Sequence, residues 1–454
     1  MTYPIHQTVI LGGGFTGLFT ALHLAHHHYP RSVILIDRDE RFCFKPLLYE
    51  YCSGEMDAQN VVPRFDQLLQ DSGVVFVQDT VQDIDLTQRE VKLVSGTTYN
   101  YSNLVLSLGS VTGYFGVEGA KENAFPLRTQ QNAIAIDQQL RDCLQRAVQT
   151  IDPYIRRQLL TVAVIGAGPS GVEMAATLAD LLPHWYEALG GTPEDIRIVL
   201  INHGSQILKG DINDPLREPT YQELQKRAVP VELIMEAQAT AIRPDAVEYK
   251  KDDKTHTLPT STAIWTTGTS TNPLIKNLPI PKDKRDHHGR PYVTPTLQLL
   301  DFPEVFAGGD CAAIQDNSLP PTAQVAYQQG QAIADNLFAL AFDRQLLPAQ
   351  VNIRGTLLKL GINNGAANLF EKFEVTGEMG HLIRQGTYLE LLPTPARNLK
   401  ITAQWLQDEI FHRYLSDGNL NRAVKVAQVV GGVAVGAIAA KKLINAIGNN
   451  KGTS

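Results

Sequence analysis

The chain has 454 residues, 43% of them hydrophobic and 7% aromatic, enough for two or three domains with substantial cores. A formal net charge of −7 offers no basic excess to neutralise phosphates, which argues against nucleic acid as the main partner. Cys43, Cys52, Cys143 and Cys311 show neither C-x-x-C nor zinc spacing, so a disulfide framework and a metal site are set aside and reduced thiols in an intracellular protein are expected.

The segment "HQTVILGGG" enters a strand almost at once, with no charged region and long apolar stretch before it, so neither a signal nor a transit peptide is read there. "QTVILGGGFTGLFTALHLA" predicts a strand, a loop with Gly12, Gly14 and Gly17 in G-x-G-x-x-G spacing, and a helix. In such a loop the first glycine makes the tight turn, the second lets the backbone approach a pyrophosphate, and the third lets the helix pack on its strand. The helix amino terminus then presents unpaired N–H groups and partial positive charge to the phosphates. The triplet His26 to His28 precedes the loop "YPRS" and reads as the end of that helix rather than a metal site. The next run, "ILIDRDE", ends on Asp37, 20 residues beyond Gly17, where an acid holds the ribose of an adenine dinucleotide.

Further on the arrangement repeats. "LTVAVIGAGPSGVEMAATLA" carries Gly166, Gly168 and Gly171 at the same spacing. One such pattern is weak evidence; two, each in strand, loop and helix context, are strong. After the excursion "DLLPHWYEALGGTPEDI" the following strand, "VLINHGSQ", ends on Asn202 and His203, 31 residues beyond Gly171. Two dinucleotide sites in one chain suggest a bound flavin nucleotide and an exchangeable nicotinamide, an electron-transfer arrangement. An acid at 202 would repel the extra phosphate of NADPH by on the order of 3 kcal/mol at about 5 Å and an effective dielectric near 20, roughly two decades in affinity. That repulsion is absent, so the strand permits NADPH without demanding it.

Five more segments complete the pattern. "CFKPLLYEYCSGEMD" contains Lys45; "LVLSLGS" and "AIWTTGTSTNPL" contain Gly109 and Gly268; "PEVFAGGDCAAI" is an apolar strand followed by Gly308, Gly309 and Asp310; "PPTAQVAYQQG" follows at 320 to 330. In order and spacing, over roughly residues 5 to 415, they resemble the type II NAD(P)H dehydrogenases, the single-subunit, non-proton-pumping NAD(P)H:quinone oxidoreductases. The segment 320 to 330 is the most specific. With "RGTLLKLGINNGAANLF" and the strand that lacks an acid, the chain looks most like the cyanobacterial and plastid branch, whose members reduce demethylphylloquinone in vitamin K1 synthesis.

The resemblance implies bound FAD, with Asp310 on the ribityl hydroxyls, and NADPH or NADH as exchangeable co-substrate. A nicotinamide gives hydride to flavin N5, and two electrons and two protons then pass to a quinone, the cofactor carrying the chemistry while the protein positions and tunes it. "LVLSLGS" and "AIWTTGTSTNPL" resemble the strands by which the chain crosses between its two domains. Glu173, in "SGVE", stands where the family has a carboxylate near both rings, to shape hydride geometry or relay a proton; the bland alternative is a helix-start acid favoured by the macrodipole. Gln324 and Gln328 share a helical face, with amides able to hold quinone oxygens. Tyr327 stands where some relatives have histidine, leaving the proton donor open. Lys45, Arg354 and Lys359 are candidate cationic partners for a reduced flavin, with surface solvation as the alternative.

Disulfide reductases of this fold need a C-x-x-x-x-C pair, whereas Cys43 and Cys52 have eight residues between them, so thiol chemistry is rejected and Cys311 reads as a packing residue. A sulfide:quinone oxidoreductase is the enzymatic competitor, but it leaves the complete loop at 166 to 171 unexplained. From another class, the chain could serve as a non-catalytic flavin-binding redox switch.

The expected architecture is α/β: two Rossmann-like domains, the second inserted into the first, and a small carboxy-terminal membrane-facing unit. The divisions are 1–120 and 296–345 for FAD, 121–295 for NAD(P)H, and 346–454 for membrane association or dimerisation. "VAQVVGGVAVGAIAA", Val426 to Ala440, would span about 22 Å as a helix, short of a roughly 30 Å hydrocarbon core. With Lys425, Lys441 and Lys442 flanking it, after the aromatic "WLQDEIFHRYL", it suits a helix lying in the interface; Gly432 and Gly436 also suit a helix of a homodimer. A peripheral protein on the cytoplasmic side of a thylakoid or plasma membrane is expected.

Overall fold

The computed structural model describes residues 7–54, 56, 61–209, 216–315, 319–353, 355–369 and 373–390. β1 (Gln7–Leu11) leads through the first glycine loop into α1 (Phe15–His26) and back along β2 (Ser32–Asp37). After α2 (Leu48–Cys52), β3 (Val75–Gln78) and β4 (Asn103–Leu106) complete one half of the chain. β5 (Phe125–Pro126) and α3 (Gln130–Gln149) then lead to the repeated unit, β6 (Thr161–Ile165), α4 (Pro169–Ala188) and β7 (Arg197–Ile201). β8 (Glu232–Ile234) and β9 (Thr262–Trp265) finish that half. β10 (Val305–Ala307) returns to the first sheet, followed by α5 (Ala323–Ala341). Three strands, β11 (Gly355–Lys359), β12 (Gly365–Leu369) and β13 (Phe373–Thr376), precede α6 (Gly377–Glu390).

The first sheet has the order β10-β4-β1-β2-β3 and the second β8-β7-β6-β9-β5, both with parallel pairings throughout. Helices cover both faces of such sheets, which is why their central strands are uninterrupted apolar runs: Val9, Ile10 and Leu11, and Val162, Ala163 and Val164, are buried. The expected two-domain dinucleotide-binding fold is what the strand order builds.

The duplication extends to single bonds. Gly12 N–H donates to Ile36 O at 2.8 Å, and Gly166 N–H donates to Ile201 O at 2.8 Å. The Ser107 hydroxyl donates to Leu11 O and Gly12 O; that of Thr266 donates to Ile165 O and Gly166 O. Each loop is thus tied to its neighbouring strand by a hydroxyl from the far side.

Two links cross between the halves. Ser110–Thr112 pairs antiparallel with Thr269–Thr271, joining the two segments expected to carry the crossings. The carboxy-terminal strands form an antiparallel sheet that docks on α4, where Ile362 N–H donates to Asp180 Oδ2 at 2.9 Å and Lys359 N–H to Glu173 Oε1 at 2.8 Å. α5 lies on α1 at close range: a side chain at Gly330 would stand 2.6 Å from Thr16 O, and Thr20 Oγ1 donates to Gly330 O. The segment 426–440 lies outside the described residues. Among those described, no helix is long and apolar enough to cross a membrane, and no group of three or more His, Cys, Asp or Glu could hold a metal ion.

Candidate active site

Both glycine loops open on one cavity of about 870 Å³, the size of a site for a large organic ligand. Gly14 and Gly168, the residues before α1 and α4, line it, and no heavy atom lies within 4 Å of where their Cβ would stand. Neither helix has an acid in its first turn, so each presents N–H groups and positive dipole to the cavity. Gly12 and Gly166 adopt φ of +95° and +104°, a conformation that favours glycine. Gly17 and Gly171 permit the helix to close on its loop, since a Cβ would meet Gly12 O at 1.9 Å or Gly166 O at 1.8 Å. Two such cradles on one cavity fit two pyrophosphate-bearing groups.

Asp37 lies behind the first cradle. Its Oδ2 accepts Gly13 N–H at 2.5 Å and its Oδ1 accepts Asp39 N–H at 2.9 Å, while burial raises its pKa. Asn202, which lines the cavity, does the corresponding work for the second loop through Ala167 N–H.

On the opposite wall, Asp310 accepts the Ser110 hydroxyl at 2.7 Å, and Arg128 donates to Ser110 Oγ at 2.8 Å. Gln329, buried on α5, accepts Gly309 N–H at 2.6 Å and so fixes the turn that presents Asp310. Lys45 lines the same wall; burial and then the Arg128 charge lower its pKa. Arg128, Ser110 and Gln329 were not singled out from sequence, because their chemistry arises only where distant segments meet.

Glu173 lies in the cavity floor, only 7% exposed. Burial raises its pKa to about 7 against the opposing charge of Arg384, so it can gain or lose a proton near neutrality. Lys359 is fully buried, not solvated, and reaches Glu50 at 3.7 Å; Arg354 lies outside the described residues.

Of the residues singled out from sequence, Gly14, Lys45, Gly109, Gly166, Gly168, Glu173, Asn202, Gly268, Asp310 and Gln324 line the cavity. Gly12, Gly17, Gly171 and Asp37 shape it from behind. Tyr327 and Gln328 are not brought to it. The Tyr327 ring packs edge-on against Phe19, 4.6 Å between centroids, on the α1 side of α5. The Gln328 amide exchanges two hydrogen bonds with the backbone of Asn352, and Gln324 donates to Gly355 O, so the two amides hold the chain that enters β11. Glu50, Tyr49, Arg384 and Tyr388 were missed, although a lone acid inside the apolar "PLLYEYC" is a signal that could have marked Glu50.

Comparison with known proteins agrees with this geometry. The pyridine nucleotide-disulphide oxidoreductase family matches residues 6–330. The demethylphylloquinone reductase of Synechocystis is 33% identical over 419 residues, covering 89% of this chain and 97% of the relative. The type II NADH:quinone oxidoreductase of Mycobacterium tuberculosis is 30% identical over 345 residues, covering 74% and 72%. The solved structure of NDH2 from Plasmodium falciparum in complex with NADH superposes with a TM-score of 0.78, covering 90% of this chain and 99% of that one; at 18% identity the likeness bears on the fold alone.

Proposed function

The chain belongs to the pyridine nucleotide-disulphide oxidoreductase family and, within it, to the type II NAD(P)H:quinone oxidoreductases, and from that footing we propose that it reduces a prenylated naphthoquinone of the demethylphylloquinone kind at the expense of NADPH. FAD is the bound cofactor and a nicotinamide nucleotide the exchangeable one. The observation that carries the reading is the convergence of both glycine loops, Asp310 and Glu173 on one cavity. Bound FAD would supply the two-electron redox chemistry between a nicotinamide and a quinone.

The residues do the remaining work. Gly12, Gly14, Gly17 and Asp37 cradle the FAD end, and Asp310 takes ribityl hydroxyls. Lys45 and Arg128 set positive charge on the wall beside them. Gly166, Gly168, Gly171 and Asn202 receive the nicotinamide nucleotide, with Gly109 and Gly268 in the crossing segments. Glu173 holds an exchangeable proton at the floor. Gln324, together with the chain at Gly355 to Leu357 and Tyr388, forms the wall assigned to the quinone. Tyr327 and Gln328 support α5 and the chain entering β11. The units 1–120 and 296–345 serve FAD, 121–295 serves NAD(P)H, and 346–454 serves membrane contact or dimerisation.

The preference for NADPH rests on Asn202, which puts no negative charge beside the adenosine ribose. A prenyl tail places the substrate in a membrane, so the chain works as a peripheral protein on the cytoplasmic side of a thylakoid or plasma membrane, with 426–440 in the interface. NADPH and NADH oxidation should be compared with a soluble naphthoquinone and a benzoquinone analogue as acceptors. Faster naphthoquinone turnover with NADPH supports the reading; flavin reduction without quinone turnover overturns it. Sedimentation with anionic lipid vesicles, lost on truncation before Leu420, tests the membrane assignment.

A further inference from the structure

Glu50 sits inside the apolar turn of α2, flanked by buried Leu48, Tyr49 and Cys52, and is 3% exposed. An ionised carboxylate in such a place requires charged partners. The carboxy-terminal unit supplies them: Arg384 Nη1 from α6 bonds Glu50 Oε1, and Lys359 Nζ from β11 lies 3.7 Å from the same oxygen. Both cations are fully buried. Among the described residues Glu50 Oε2 has no hydrogen-bond partner.

The same two residues reach Glu173 on α4. Arg384 Nε lies 3.7 Å from Glu173 Oε1, and that oxygen accepts Lys359 N–H at 2.8 Å. Arg384 is held in place by Pro46 O, to which Nη2 donates at 2.7 Å, and by the Tyr388 ring, 4.8 Å from the guanidinium carbon. Facing Glu173 are therefore Glu50 and Tyr49 from α2, Lys359 from β11, and Arg384 and Tyr388 from α6. Both carboxylates lie against Arg384, while Lys359 offers its ammonium to Glu50 and its backbone N–H to Glu173; of the two acids, Glu173 touches the cavity.

We propose that Glu50 is a positioning residue for the quinone reductase reaction: its carboxylate occupies Arg384 and Lys359, and so leaves Glu173 free to exchange a proton at the cavity floor. Without the Glu50 charge, the Arg384 guanidinium acts on Glu173 without that carboxylate to oppose it and draws Glu173 toward ionisation. The directions of the titrations agree: burial works against ionised Glu50, but Arg384 and Lys359 hold its carboxyl below the ordinary range, while burial, opposed by Arg384 and aided by Glu50, raises that of Glu173.

The inference rests on reading Glu173 as a participant in turnover, and the test separates the two. In the full-length holoenzyme, the carboxyl C=O band of Glu173 is titrated by infrared difference spectroscopy, with Glu173→Gln assigning the band. Glu50→Gln should lower the midpoint from about 7 by about one pH unit or more, and Glu50→Asp should keep it near the wild-type value. Lys359→Met, which removes a cation, should raise it. An unchanged midpoint in folded Glu50→Gln overturns the proposal; if that variant does not fold, an unchanged midpoint in Lys359→Met does so. Wild-type turnover in Glu173→Gln would remove Glu173 from the reaction while leaving the infrared shift to be judged by itself.

Discussion

Asn202 Oδ1 accepts the backbone N–H of Ala167 at 3.1 Å, repeating in the second glycine loop the bond by which Asp37 holds Gly13 in the first. Its amide nitrogen donates to Gly204 O at 3.0 Å and Gln206 O at 3.2 Å. A carboxylate could make the first bond but neither of the others. The amide thus keeps the loop-holding role of the acid and spends its donors on folding the residues that follow, without adding charge.

Asn202→Asp should therefore reverse the proposed preference for NADPH. The added charge costs NADPH on the order of 3 kcal/mol, roughly two decades in kcat/KM, while NADH changes much less. Steady-state kinetics with both nucleotides provide the check; an unaltered ratio would remove residue 202 from the phosphate's surroundings.

Turnover should show an inflection near pH 7 that disappears in Glu173→Gln. The same residue marks stability. Its folded pKa, about 7, exceeds the ordinary 4.5, so the native state retains a proton that the unfolded chain releases between those values. Stability from this group is full below 4.5 and declines as pH rises to 7; the Gln variant should lack that part of the slope in denaturant titrations across the window.

Gly268→Ala should lower stability by about 1–3 kcal/mol. Gly268 has φ +75°, and a Cβ would stand 2.7 Å from Gly113 O and 2.1 Å from the ring of Phe115. The ring can turn aside, but the backbone oxygen belongs to the paired crossing segments. A fall in Tm together with reduced flavin content is expected.

Gln329→Ala leaves the Gly309 N–H without its acceptor beside Asp310, at a cost of about 1–3 kcal/mol. Flavin release on dilution should be faster than in wild type, and Gln329→Glu, which keeps the acceptor, should restore part of the retention.

The cradles were legible in the sequence because their chemistry is local: strand, glycine loop and helix lie within about twenty residues, and glycine spacing reports the backbone shape directly. Asp37 was legible for the same reason, ending an apolar strand, whereas Asp310 lies three residues past β10 and was marked by the family resemblance. Helical spacing also placed Gln324 and Gln328 on one face, but what that face meets is the chain entering β11, which no periodicity in α5 reveals. Tyr327 points instead to α1, a contact set by the close packing of two helices some three hundred residues apart.

The sequence by itself determined that two dinucleotide cradles exist, which strands carry them, and that the second lacks its acid, since each property resides in a short run of backbone and side chains. Only the tertiary structure decided that both cradles open on one cavity and that Glu173 shares Arg384 with Glu50, which also takes the Lys359 ammonium. Charge interactions depend on distance through space and on exclusion of water, and residues from 186 to 334 positions apart acquire both only when the carboxy-terminal unit docks on α4 and α2.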